Sequence, residues 1–193
     1  AGKKVRLFAP QKGEQRKLVL MALSNANEKL LQRTSRTGKE VVALDELGNM
    51  LGMVSPPDYI EAYDISNLGD SARVAGMVTF VKGKPYKAGY KRFSIKGFEG
   101  QDDYASMQEV IRRRLNRYFE EKDQGDGFGR LPDLILLDGG KGHVAAVLPV
   151  IAEFGLSIPV FGMVKDSRHR TRAIAKDGGE ISFSSKQAAF HFV

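Results

Sequence analysis

Asp133-Leu134-Ile135-Leu136-Leu137-Asp138-Gly139-Gly140-Lys141-Gly142 is the stretch from which the fold is read. Four apolar residues in a row, flanked by acids, predict a strand covered on both faces, as in parallel sheets closed in by helices. The strand runs into a carboxylate, Asp138, and then into a glycine-rich turn ahead of a helix predicted at about 141–154. In open α/β sheets ligands bind at this carboxyl edge. The glycines let backbone approach a ligand, and Lys141 at a helix start adds to the attraction for anions. The spacing is not that of a Walker A loop, because no Ser or Thr follows Lys141.

Upstream, Tyr59-Ile60-Glu61-Ala62-Tyr63-Asp64-Ile65-Ser66-Asn67 has the same form, an apolar strand leading to an acid. Asp64 taken alone reads more readily as a turn cap. Asp64 and Asp138 taken together, at the tips of neighbouring strands, point to a shared divalent cation, because hard cations prefer oxygen ligands. Ser66 and Asn67 are placed to orient Asp64 or a phosphate.

Between these two strands, Arg73–Val81 and Tyr86–Ile95 predict a hairpin about a turn at 82–85. Asp102 is a suitable N-cap for a helix running to about Lys122, with Met107, Val110, Ile111, Leu115, Tyr118 and Phe119 on its apolar face and Arg112, Arg113, Arg114 and Arg117 around the other side. With Asp102 as cap, Asp103 is available as a third carboxylate. Downstream come a strand at 159–164 and a hairpin about Asp177-Gly178-Gly179. The order β-β-β-α-β-α-β describes a mixed five-stranded α/β sheet with flanking helices, the layout of a ribonuclease-H-like fold, with the first and fourth strands adjacent and parallel.

Residues 1–55 form an N-terminal lead-in segment, with a helix predicted over 11–33, breaks at Gly38, Gly48 and Gly52, and a linker at Ser55-Pro56-Pro57. Residues 56–193 form the main domain. Ten Lys and Arg against five acids make the lead-in the basic part of a chain whose net charge is +7; the remainder is nearly balanced. That excess favours a polyanionic partner. Lys165-Asp166-Ser167-Arg168-His169-Arg170-Thr171-Arg172 is a second basic stretch, placed after a strand and so at the same edge as the aspartates. Arg168, Arg170 and Arg172 there are candidates for phosphate contacts, with a merely solvated loop as the plainer reading. The three histidines have no metal-ligand spacing. Absence of cysteine excludes disulfides and Cys-ligated zinc or iron–sulfur centres. With no apolar run near 18 residues and no signal-peptide core, the reading is a soluble intracellular protein with no membrane span. A start at Ala-Gly and an end within an apolar pattern suggest a piece of something longer.

Tyr63-Asp64-Ile65-Ser66-Asn67, Tyr90-Lys91-Arg92-Phe93-Ser94-Ile95-Lys96-Gly97, Asp102-Asp103-Tyr104-Ala105-Ser106-Met107, Arg112-Arg113-Arg114 and Leu136-Leu137-Asp138-Gly139-Gly140-Lys141-Gly142-His143 together resemble the UvrC family of excinuclease proteins, in its C-terminal-half ribonuclease-H-like endonuclease domain. Ala9-Pro10-Gln11-Lys12-Gly13 resembles the lead-in to that domain, so the likeness covers residues 9–193. The resemblance implies a metal-dependent endonuclease that makes the 5′ incision at damaged double-stranded DNA in bacterial nucleotide excision repair. It implies catalytic roles for Asp64, Asp138 and Asp103, with Mg²⁺ or Mn²⁺ on Asp64 and Asp138. It further implies partnership with UvrB, and UvrA upstream, through parts of the protein outside this chain, and a catalytic histidine located beyond Val193. The competing expectation is a catalytically incomplete DNA- or protein-binding module on the same fold, which would have no use for carboxylates facing an anionic backbone.

Overall fold

The computed structural model describes residues 10, 12, 14–68, 72–95, 102–124, 127–165, 171–176 and 179–182, without the side chains at 20, 24–37, 67, 68, 72, 124 and 172. The chain divides into two compact units, 1–39 and 40–193. In the first, helix α1 (Glu14–Leu51) begins, with Leu18 and Met21 exposed. Its final turns belong to the second unit. There Ala43, Leu44 and Leu47 are buried.

The helix expected over 11–33 is therefore longer, and neither Gly38 nor Gly48 breaks it. A single helical glycine costs about 1 kcal/mol, which burial of Leu44 and Leu47 offsets, at about 1.5–3 kcal/mol for each side chain. Gly48 has a packing reason as well: an added Cβ would press on Pro56 Cα at 3.2 Å. The helix stops at Gly52 (φ +69°), where Met53 N–H donates to Gly48 C=O at 2.9 Å and Gly52 N–H to Asn49 C=O at 3.2 Å. That pair of bonds is a Schellman stop.

The strands are β1 (Tyr59–Leu68), β2 (Ala72–Val81), β3 (Lys84–Pro85), β4 (Lys91–Ser94), β5 (Leu134–Asp138), β6 (Val160–Lys165), β7 (Thr171–Lys176) and β8 (Gly179–Ser182), with helices α2 (Asp103–Glu121) and α3 (Lys141–Glu153). Among the described residues they form one sheet in the order β3-β2-β1-β5-β6-β7-β8, with β4 also on β2. β1, β5 and β6 are parallel and the outer pairings antiparallel. The sheet is mixed as expected, but it has eight strands rather than five: β7 and β8 extend it beyond β6, and the short β3 adds to β2. The turn into β3 is two residues, Lys82 and Gly83, both at positive φ, the conformation of a type I′ hairpin. Of the single strand expected over 86–95 only β4 forms, because a short 3₁₀ turn occupies 87–89, where Gly89 lies so close to Thr79 that a Cβ would collide with its hydroxyl.

Alternation along the strands sorts the core into two layers. Tyr63, Ile135, Leu137 and Val160 face α2 and α3, meeting Met107, Val110, Ile111, Leu115, Val144 and Val147. Ile60, Ala62, Leu134, Leu136 and Phe161 face the other way, onto Leu44 and Leu47. α2 starts as its sequence dictates, with the Asp102 carboxylate accepting from Ala105 N–H at 2.9 Å.

One residue contradicts the expected polar side of α2. Arg114 is buried, and so is Glu61 in the middle of β1. Arg114 Nη2 donates to Glu61 Oε1 at 2.7 Å, and Nε to the same oxygen at 3.0 Å. Tyr63 O–H donates to Glu61 Oε2 at 2.6 Å. The guanidinium also donates to the carbonyls of Phe128, at 2.9 Å, and Arg130. Strand, helix and the turn at 127–130 are thus tied at one buried charge pair.

Candidate nucleic-acid-cleaving site

The parallel ladder of β1 with β5 ends at Tyr63 opposite Leu137. Asp64 and Asp138 are the next residue on each strand. Neighbouring strands lie about 4.8 Å apart, so the two aspartates stand side by side where the parallel ladder ends. Asp138 is the tip of its strand as expected, but Asp64 is not, since β1 runs on to Leu68 against β2. In-register parallel neighbours project to the same face, here the face of Ala62 and Leu136. Asp64 is exposed and accepts from Ser66 Oγ at 3.1 Å. Its other neighbour, across β2, is Gly76. An added Cβ there would meet nothing within 4 Å, so the flank of Asp64 is open.

Asp138 is half-buried, its side chain 19% exposed, and ion-paired with Lys165 at the end of β6. Asp138 sits opposite Met163, and Lys165 lies two residues further along the same face. Lys165 is also the register partner of Thr171. The basic stretch joining them therefore leaves β6 at the residue that contacts Asp138 and returns at Thr171, across from that residue on β7. Arg168 and Arg170 lie outside the described residues, and of Arg172 only the backbone is described, in β7.

Asp103 occupies the first turn of α2, the helix covering the opposite face. It pairs with Arg73 Nη2 at 3.3 Å and is 52% exposed. Arg73 also donates to Ser106 Oγ at 3.1 Å and to the Asp102 carbonyl at 3.3 Å. Among the described residues no group of three or more His, Asp or Glu side chains gathers at metal-binding distances. The geometry brings Asp64 and Asp138 together and gives Asp103 a separate partner.

The glycine turn after Asp138 is packed from within. A Cβ on Gly139 would collide with the His143 ring, and one on Gly142 would lie 2.6 Å from the Tyr104 hydroxyl. His143 and Tyr104 meet edge to face at 4.7 Å. Gly162 on β6 is needed for the same reason, because a Cβ would collide with the Gly139 carbonyl. Of Gly139, Gly140 and Gly142 only Gly140 faces open space, and Lys141 is exposed at the start of α3. These glycines serve close packing of the corner as well as any approach of a ligand. Asn67 continues β1, its side chain outside the described set.

The family model described as the UvrC RNAse H endonuclease domain matches residues 48–193. The chain belongs to the UvrC family, in its RNase H endonuclease domain. A curated UvrABC system protein C from Caldanaerobacter subterraneus subsp. tengcongensis is 45% identical over 205 residues, and one from Acetivibrio thermocellus 43% over 208. Each alignment covers all of this chain but 33% of the relative, so the chain spans about a third of the length of these UvrC proteins. Among solved structures, human ENDOV aligns with 84% of the chain and 87% of its own length at TM-score 0.40 and 12% identity. Among the described residues, no helix of this UvrC-family chain is long and apolar enough to cross a membrane.

Proposed function

We propose that this chain is the nuclease domain of a bacterial, cytoplasmic UvrC that makes the 5′ incision at damaged double-stranded DNA during nucleotide excision repair. Its recruitment by UvrB, after UvrA, would run through parts of the longer protein. The observation that carries the reading is the register: Asp64 and Asp138 are the first residues past the last pair of a parallel ladder. Two carboxylates side by side at a ligand-binding edge suit a hard divalent cation. The ammonium resting on Asp138 supports the reading, since a positive charge already sits at that position.

Asp64 and Asp138 would hold Mg²⁺ or Mn²⁺, which when bound supplies Lewis-acid chemistry at the scissile phosphate and its attacking water. The remaining work belongs to the chain. The Ser66 hydroxyl fixes one Asp64 oxygen. Gly76 leaves the DNA backbone room to approach. Lys141, with Asn67, Arg168, Arg170 and Arg172, would contact phosphates and set the register of the strand without reading bases. Asp103, which stands on the α2 face paired with Arg73, would join as a third carboxylate only if the start of α2 shifted toward the edge that carries Asp64 and Asp138.

The test is a nicking assay on damaged duplex with full-length UvrC carrying this domain. Asp64→Asn and Asp138→Asn keep size but lose charge, and each should abolish the 5′ cut with circular dichroism unchanged. Near-normal nicking by either variant would refute the assignment.

A further inference from the structure

Lys165 is the one described side chain in ion-pair contact with Asp138. It is held there by more than chance of sequence. β6 is the parallel neighbour of β5, Asp138 is paired in register with Met163, and Lys165 follows on the same face where β6 gives way to the basic stretch. Its side chain is 40% exposed, so the ammonium can leave Asp138 without being stranded in the core. A cation arriving at Asp64 and Asp138 has to share the Asp138 oxygens with this ammonium or displace it. Two positive charges at one carboxylate repel, and the monovalent one is on a flexible stem. The space it would swing into is the edge at which an anionic backbone would lie.

We propose that Lys165 is a built-in counter-ion which occupies Asp138 until metal binds and is then released to a DNA phosphate. This deepens the metal-site reading above and rests on it. Lys165 would be a positioning and phosphate-anchoring residue, since it touches a metal ligand in one state and substrate in the other.

The experiment titrates Mn²⁺ into this chain without DNA by calorimetry, comparing wild type, Lys165→Met and Asp138→Asn. Removing the competitor should make Lys165→Met bind Mn²⁺ about 2–5-fold more tightly at low salt, the range that one exposed ion pair represents, with the gain shrinking as salt rises. Unchanged or weaker binding by Lys165→Met, while Asp138→Asn loses binding, would overturn the counter-ion proposal and leave the metal site standing. Equal binding by wild type and Asp138→Asn would remove the metal site itself, and the proposal with it. A second arm reads the release. The log–log salt slope of duplex binding should be the same for wild type and Lys165→Met without divalent metal. At fixed Mn²⁺ the wild-type slope should be steeper by about 0.9, the increment of one phosphate contact. A slope difference already present without metal, or absent with it, would overturn the hand-over.

Discussion

Glu61 and Arg114 face each other at 2.7 Å with side chains 0% and 1% exposed, a charge pair sealed between β1 and α2. Glu61 lies three residues before Asp64 on the same strand, so the pair anchors the element that presents the first aspartate. Breaking it from one side leaves an uncompensated buried charge, which costs about 3–5 kcal/mol. Arg114→Ala should therefore lower unfolding stability in urea by that amount. The double change Glu61→Leu with Arg114→Met should recover most of it, because a well-packed apolar pair replaces the ions. A double variant as unstable as the single one would mean that the carbonyl bonds to Phe128 and Arg130 matter more than the charge pair.

The same network sets a pH dependence. Burial pushes the Tyr63 phenol well above its ordinary value, and the charge of Glu61 beside it adds to the rise. Tyr59 is raised by the same two causes in the same order. A phenol raised in the folded state is held neutral there, so its contribution to stability is complete below its unfolded value, about 10. It is lost as pH rises from there toward the folded value. Stability should thus fall with increasing pH above about 10, and absorbance titration of the folded chain should show two phenols still silent at pH values where the phenols of the unfolded chain have ionised. In Tyr63→Phe the alkaline loss should be smaller. An identical alkaline profile in that variant would contradict the account.

Glycines at the corner after Asp138 separate into those that packing requires and one that it does not. Gly162→Ala puts a methyl into the Gly139 carbonyl, where backbone has to move. A loss of about 1–3 kcal/mol is expected, the usual cost of overpacking. Gly140→Ala meets nothing within 4 Å and has φ −86°, so thermal unfolding should be unchanged. A neutral Gly162→Ala would show that the corner is looser than the distances imply.

Much of this was legible in the chain. The apolar run Leu134–Leu137 announced a buried parallel strand, and the matching form of Tyr59–Asp64 placed its neighbour. The Asp102 cap fixed where α2 begins. What escaped had physical reasons. Gly38 and Gly48 looked like helix breakers because propensity is local, whereas the burial that overrides it is not. Arg114 looked like one more surface arginine because its partner lies far away in sequence. The clue was Glu61, a charge inside an apolar strand, which needs a buried partner. Lys165 was visible as the first residue of a basic stretch, but its contact with Asp138 depends on the register of β5 with β6. The open flank at Gly76 likewise depends on which residue of β2 stands opposite Asp64.

The central claim is that Asp64 and Asp138 share one divalent cation. Crystals of this chain soaked in Mn²⁺, with anomalous diffraction recorded near the manganese edge, test it most directly. The account predicts a single strong anomalous peak within about 2.0–2.6 Å of a carboxylate oxygen of both residues, with Lys165 moved off Asp138. A peak elsewhere, or no peak at the pair at a Mn²⁺ concentration that supports nicking by the full-length protein, would contradict it.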